Sequence, residues 1–237
     1  MKRVSYPLIR RVRLIAGIAL IALLILSAII TLTESGNGII SYRDIPAYNG
    51  RDIYVEINGN IPFFEDEITS YPYGIYSELD SSGRCGSAVA CLGIETMPKA
   101  NEERESIYAV KPSGWRSLQF DGVEGGYLYN RCHLIGWQLS AENANEKNLI
   151  TGTRDFNVKG MLPFENMVAD YVKETENHVL YRVTPVFKIN ELVARGVLIE
   201  CKSVEDNGEG LTFCVFVYNV QSGIKINYLD GSARRSD

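Results

Sequence analysis

The sequence predicts an α+β fold, with a central antiparallel β-sheet, preceded by an N-terminal transmembrane helix. An uncharged apolar run from Leu14 to Thr33 is long enough to cross a bilayer, since about 20 helical residues do so. Farther along, residues 193–203 and 211–220 read as two strands joined by a polar turn, which predicts a hairpin. A segment that begins near Pro163 repeats its apolar residues at helical spacing. Hairpin-paired strands beside one long helix are typical of the α+β class.

The N-terminal segment is predicted to hold the chain in a membrane. Residues 1–13 carry five Lys and Arg residues, so this flank is expected in the cytoplasm and the rest of the chain outside the cell. The predicted single-pass span is 14–33, and a linker, 34–52, leads to one extracellular domain, 53–237. A cleaved signal peptide is the alternative, although no strong cleavage site is present, and a buried globular helix is another.

Three further segments are predicted to join the hairpin in the central sheet. Residues 53–57 alternate as a short strand, and residues 88–92 are apolar enough for a buried one. Residues 178–187 read as a third.

Polar residues interrupt a fourth alternating segment, residues 127–135. The alternation places Arg131 and His133 on one face of a strand, about 7 Å apart. His133 is one of only two histidines in the chain. A neutral imidazole near pH 7 can take a proton from water. Taken alone, such a histidine is more often a packed core or surface residue.

Three polar residues downstream complete a candidate site: Asn148, Asn157 and Glu165. Hydrolysis of a phosphodiester needs a base for the water, a cation near the leaving oxygen and groups that hold the cation. Mg²⁺ prefers oxygen ligands and keeps most of its waters, so one asparagine carbonyl with a nearby carboxylate is a plausible minimal holder. Singly, each residue fits a loop or helix-cap role better; together with His133 they favour a metal-dependent site.

The charge of the chain excludes one class of nucleic-acid binder. Five of the 24 Lys and Arg residues precede the apolar run, which leaves 19 against 29 Asp and Glu, a net charge of about −10. A protein that passively coats DNA should be basic. An enzyme acting on nucleic acid could still work through a local basic cleft and a divalent metal.

The five cysteines leave two alternatives open. They lack a C-x-x-C spacing, which disfavours zinc. Cys201 and Cys214 lie symmetrically about the turn of the predicted hairpin, where they would face each other and could form a disulfide outside the cell. Unpaired thiols that pack as small apolar groups are the equally weighted alternative.

The motif Asn130-Arg131-Cys132-His133 resembles the Asp-Arg-Gly-His motif of the DNA/RNA non-specific endonucleases, which are ββα-metal or His-Me finger nucleases. Within that family the chain is most similar to the membrane-bound nucleases of DNA uptake in Gram-positive bacteria. The resemblance spans roughly residues 53–220. Six stretches in the same order carry it: ELDSSGRCGSAVACLG, KPSGW, YNRCHLIGWQL, NEKNLITGTRDFN, MLPFENMVADYV and YRVTPVF.

The resemblance implies a role for five residues. His133 falls on the general base, and Asn157 falls on the asparagine that binds the metal directly. Glu165 falls on the carboxylate that organises the metal's water, and Asn148 on an asparagine that supports the site. Arg131 falls on the motif arginine, which contacts phosphate or holds the site together. The implied fold places a ββα element against the central sheet, and the implied ion is Mg²⁺, with Mn²⁺ as the alternative.

Two departures from the motif and one added arginine complete the prediction. Asn130 replaces the aspartate of the motif, which puts the rate and the metal preference in doubt. Cys132 replaces its glycine and could crowd the backbone. Arg154 lies three residues before Asn157 and is a candidate phosphate contact, with a salt bridge to an acid as the equal alternative.

The resemblance implies a metal-dependent endonuclease at the cell surface that cuts DNA, and RNA as a further substrate. Its expected partners are nucleic acid, the lipid membrane and a DNA-uptake machinery, with no small-molecule cofactor. Two rivals are a surface DNA receptor that has lost catalysis and a secreted antibacterial nuclease toxin. The intact pair of His133 and Asn157 argues against the first, and the absence of a delivery domain beside the apolar run argues against the second.

Overall fold

The computed structural model describes residues 41–64 and 73–236. The described strands are β1 (Tyr54–Glu56), β2 (Tyr73–Tyr76), β3 (Ala88–Leu92), β4 (Tyr129–His133), β5 (Leu149–Thr153), β6 (Val179–Val186), β7 (Gly196–Ser203), β8 (Thr212–Tyr218), β9 (Ile224–Ile226) and β10 (Ala233–Arg235). The described helices are α1 (Trp137–Ser140), α2 (Leu162–Thr175) and a π-helical segment, Phe156–Met161, directly before α2. Short 3-10 turns cover Tyr42–Asp44, Asn58–Asn60, Ile94–Thr96 and Glu146–Asn148.

The central sheet is antiparallel throughout, with the strand order β1-β8-β7-β6-β3-β2. Strands β7 and β8 form the predicted hairpin. Beside it lie β6, which is the strand predicted at 178–187, and β3, which is the strand predicted at 88–92. The expected α+β class with a central antiparallel sheet is therefore confirmed.

The predicted transmembrane segment, residues 14–33, lies outside the described residues. Within the described ranges, none of the helices has the length and apolar character needed to cross a bilayer. The end of the predicted linker lies against the domain, because the hydroxyl of Tyr218 donates to the carbonyl oxygen of Pro46 over 2.6 Å.

Side chains pack on both faces of the sheet, and the two cysteines of the predicted hairpin lie on different faces. Cys201 packs on the face of the sheet that α2 covers, and Cys214 packs on the opposite face. The register pairs Glu200 with Cys214 and Cys201 with Phe213, so the two thiols point away from each other. Cys201 and Cys214 are both buried and form no disulfide with each other. The alternative of packed thiols is therefore correct and the disulfide is wrong, since a one-residue offset in an antiparallel pair moves a side chain to the other face.

Strands β4 and β5 form a separate antiparallel pair, and the helical segment that follows β5 completes a ββα unit. The buried amide of Asn219 fastens this pair to the rest of the domain. Its Oδ1 accepts from the backbone N–H of Thr153, and its Nδ2 donates to the carbonyl oxygens of Thr151 and Ala194.

The helix of this unit begins earlier than predicted. Helical backbone starts at Arg154, directly after β5, rather than near Pro163. The intervening π-helical turns are wider than α-helical turns, so their side chains do not follow the 3.6-residue period on which the prediction relied.

Candidate active site

His133 is the last residue of β4 and is 6% exposed. Its Nε2 lies 2.8 Å from the carbonyl oxygen of Asn143. Because a carbonyl oxygen can only accept, Nε2 carries the proton, and in the neutral ring Nδ1 is the basic nitrogen. Burial lowers the pKa of His133 below its usual value, and the positive charge of Arg104 lowers it further. The imidazole is therefore neutral near pH 7 and able to accept a proton.

Asn148 is completely buried and clamps the backbone just beyond His133. Its Oδ1 accepts from the N–H of Ile135 over 2.9 Å, and its Nδ2 donates to the carbonyl oxygen of Ile135 over 3.0 Å. The backbone carbonyl of Asn148 also accepts from the N–H of Leu134. Asn148 thus supports the turn that follows β4, and these bonds occupy both ends of its side chain.

Glu165 lies in the first turn of α2, and its side chain projects towards the backbone turn that follows β4. A Cβ atom at Gly136 would lie 2.6 Å from Glu165 Oε2, so the carboxylate rests against the bare backbone of Gly136. Burial raises the pKa of Glu165 to about 7, opposed by the charge of Arg104 and a hydrogen bond from Gln138. A desolvated carboxylate without a full counter-charge favours a nearby cation.

Asn157 lies in the π-helical segment and lines a cleft of about 1150 Å³. π-helical turns inside α-helices occur frequently at functional sites. Asn143, whose carbonyl oxygen contacts His133, lines the same cleft. Asn157 and Asn143 therefore line one cleft although they come from the π-helical segment and from the loop after α1.

The two predicted arginines also line the cleft but differ in their contacts. The guanidinium of Arg131 donates to the carbonyl oxygens of Tyr108 and Val110 over 2.7 Å and 2.5 Å. Arg131 therefore holds the wall of the cleft together. Arg154 makes only a 3.3 Å contact with the exposed carboxylate of Glu124, and its buried Nε has no partner among the described residues.

The motif departure at Cys132 does not crowd the backbone. Cys132 is fully buried, and a Cβ atom at Gly152 on the neighbouring strand would lie 2.4 Å from its sulfur. The missing side chain of Gly152 therefore provides the space that the thiol fills. Asn130 lines the cleft without entering the core.

Sequence reasoning missed two residues of the site. Asn143 orients His133 through a backbone carbonyl, which no side-chain pattern reveals, and its own carboxamide nitrogen and oxygen are buried without partners among the described residues. Arg104 lies 29 positions before His133 in a charged loop, yet its charge acts on both His133 and Glu165. Only its place between several acidic residues distinguished it in the sequence.

For the nucleic-acid cleavage that the resemblance implies, Gly136→Ala should lower the rate by about 10-fold to 100-fold, the effect typical of changes to residues that support a metal site. The added methyl group would displace the Glu165 carboxylate, whereas the backbone angles at Gly136 suit alanine. Gly74→Ala is the matched control, because its Cβ would make only an ordinary 3.5 Å contact with the Tyr76 ring. Steady-state cleavage assays of both variants test this, and equal rates for Gly136→Ala and wild type would contradict it.

Asn148→Ala should lower the free energy of unfolding by about 2 to 4 kcal/mol, since it leaves the buried N–H and carbonyl of Ile135 without partners. Asn145→Ala removes one half-buried bond to the backbone of Lys147 and should cost about 1 kcal/mol or less. Denaturant unfolding of the two variants measures the difference. Equal losses would show that the Asn148 clamp contributes no more than an ordinary turn cap.

Known proteins share the fold of this chain. A family model described as DNA/RNA non-specific endonuclease matches residues 64–205. The fold is similar to NucA from Streptococcus agalactiae with a magnesium ion bound, with a TM-score of 0.67 and 23% identity over 76% of this chain and 87% of that one. It is also similar to Sda1 nuclease with a bound zinc ion, with a TM-score of 0.65 and 26% identity over 78% of this chain and 97% of that one. No curated protein matches the chain significantly.

Proposed function

Because the chain belongs to the DNA/RNA non-specific endonuclease family and is an endonuclease, we propose that it hydrolyses DNA and RNA with His133 as the general base. One observation carries the assignment of the base. The buried, neutral imidazole of His133 is held through Nε2 by the Asn143 carbonyl, which leaves Nδ1 as its basic nitrogen.

We propose that a divalent cation binds beside Asn157, with Mg²⁺ as the expected ion and Mn²⁺ as the alternative. Within residues 41–64 and 73–236, no three His, Cys, Asp or Glu side chains form a metal-binding group. A cation held by one amide oxygen and mostly by water fits that donor set, and this is the habit of Mg²⁺. The carboxylate of Glu165, with its raised pKa, supplies the nearby negative charge. When bound, such a cation neutralises charge that develops on the phosphate and on the leaving oxygen.

The residues of the chain have separate parts in the proposed reaction. Nδ1 of His133 takes a proton from water as the water oxygen bonds to phosphorus, and the bond from phosphorus to the leaving oxygen breaks. The leaving oxygen takes up a proton from solvent, and His133 afterwards returns its proton to solvent. The Asn143 carbonyl stabilises the imidazolium that forms, because it accepts the hydrogen bond from Nε2. Asn148 keeps the turn after β4 in place, and Glu165 reaches that turn at Gly136.

The cleft supplies the local positive charge that the acidic domain otherwise lacks. It carries four cationic side chains, against two carboxylates: Arg104, Lys111, Arg131 and Arg154 against Glu105 and Glu124. Arg104 and Arg154 are the proposed phosphate contacts, since the guanidinium of Arg131 already donates to two carbonyl oxygens. Contacts to phosphate carry little sequence information, which fits a non-specific substrate range.

We also propose that the enzyme is held in the cell membrane by residues 14–33, with the domain outside the cell and in reach of a DNA-uptake machinery. The support is the apolar run and its basic N-terminal flank. Protease treatment of intact cells tests the orientation. Digestion of the domain with a membrane-retained fragment is expected, and a domain released intact into the medium would contradict the anchor.

Covalently closed plasmid is the direct substrate for testing the activity, because a circle has no ends for an exonuclease. The full chain should nick and linearise plasmid with Mg²⁺ or Mn²⁺ and should degrade a ribosomal RNA sample as well. EDTA should abolish both activities. A folded protein that leaves plasmid and RNA intact with either ion would contradict the proposed function.

A further inference from the structure

The two most exposed aromatic side chains of the described residues both lie in the cleft. Tyr108 is 78% exposed and Tyr127 is 49% exposed. Rings exposed to this degree contribute little to the hydrophobic core and keep apolar surface in contact with water. Their shared position beside the candidate site indicates that they bind something there.

The side chain of Arg131 packs against the ring of Tyr108. The guanidinium of Arg131 lies 5.1 Å from the centroid of the Tyr108 ring and 4.0 Å from that of Trp115, and it also donates to the backbone carbonyl of Tyr108. Arg131 thus joins the loop of Tyr108 to strand β4, which ends at His133. A ring that is already ordered loses little conformational entropy when a ligand stacks on it.

Open aromatic rings and cations line this cleft together. Lys111 and Arg154 can meet phosphate oxygens, while Tyr108 and Tyr127 offer faces for stacking. A basic groove with aromatic platforms is the arrangement that binds single-stranded nucleic acid. Bases inside an intact duplex are stacked on each other and reach such a ring only after unpairing.

We propose that Tyr108, with Tyr127 as a second platform, stacks on an unpaired base beside the scissile phosphate, so that single-stranded or locally melted nucleic acid is the preferred substrate. This inference rests on the proposed function, because the same cleft must present the phosphate to His133. The cleft would then contact the bases through these tyrosines as well as the phosphates through its cationic side chains.

The test uses the full chain and a single-stranded oligonucleotide with one phosphodiester among phosphorothioate linkages. A matched oligonucleotide carries abasic residues on both sides of that phosphodiester. Tyr108→Ala should raise the KM for the first substrate about 5-fold to 100-fold, with kcat nearly unchanged, and should leave the KM for the abasic substrate unchanged. Tyr108→Phe should behave like wild type. Tyr48→Ala is the control, because it removes a partly exposed tyrosine outside the cleft.

Two outcomes would overturn the proposal. Equal losses on the two substrates would mean that Tyr108 acts only by positioning Arg131 or the phosphate, and no loss on either would mean that no base stacks there. Binding of the same two oligonucleotides, measured by fluorescence anisotropy in EDTA, separates this proposal from the proposed function. If wild type cleaves nothing but binds the base-containing strand more tightly, and Tyr108→Ala removes that difference, stacking stands and the hydrolytic function fails.

Discussion

His133→Ala should lower kcat for plasmid cleavage by about 100-fold to 10,000-fold, the range expected when a general base is lost. Alanine cannot take the proton of the attacking water, whereas the Asn148 clamp and the cleft remain in place. Single-turnover cleavage at saturating metal measures the effect. A variant that is folded and within a few-fold of wild type would show that another group is the base.

The pH dependence of the rate is a second test of His133 as the general base. Burial lowers the pKa of His133 below its ordinary value of 6.5, so the neutral, active form persists below pH 6.5 and is lost only as the pH falls through the lowered pKa. At saturating Mg²⁺ the proposed cation keeps the Glu165 carboxylate ionised, so the logarithm of kcat/KM should be flat near pH 7 and fall on an acidic limb below pH 6.5. The limb should disappear from the residual activity of His133→Ala.

The other histidine is the matched control for both measurements. The pKa of His178 is raised by its hydrogen bonds to Glu205 and Glu95, at 2.5 Å and 3.0 Å, and His178 directly precedes β6 of the central sheet, outside the pair of strands that bears His133. His178→Ala should retain the rate and the acidic limb of wild type. A limb that moves with His178 and not with His133 would contradict the assignment.

Asn157→Ala should cut the rate at least about 100-fold at low metal concentration, since a cation supplies several kcal/mol of transition-state stabilisation and each 1.36 kcal/mol is a factor of ten. Loss of the proposed ligand should also raise the metal concentration for half-maximal activity. High Mg²⁺ or Mn²⁺ should then restore part of the rate. Cleavage measured across a metal titration shows both effects.

Asn101→Ala is the control for this titration, because it removes an exposed asparagine from the loop that also bears Arg104. It should leave the half-saturating metal concentration unchanged. If Asn157→Ala loses activity without any shift in that concentration, Asn157 acts on the substrate and not on the metal.

The local patterns of the sequence were sufficient for six of the described strands and for the long helix, but they did not predict β5, β9, β10 or α1. Alternation predicted the strand that ends at His133, and it predicted the hairpin of β7 and β8. Periodicity failed at the start of the helix, because the π-helical segment that contains Asn157 does not repeat every 3.6 residues. Patterns of this kind report on neighbours within a few positions, where backbone geometry alone sets which side chains share a face.

Contacts between distant segments could come only from the tertiary structure. The Asn143 carbonyl that orients His133 is a backbone atom, and every residue type carries one. The space that Gly136 leaves for Glu165 depends on how α2 packs against the turn after β4. The separation of Cys201 from Cys214 depends on a register offset of a single residue. The sequence by itself determined the fold class and, through the resemblance it carries, the candidate residues of the site. Packing decided their hydrogen-bond partners, their pKa values and which of them line the cleft, because each of these depends on the atoms brought into contact by folding.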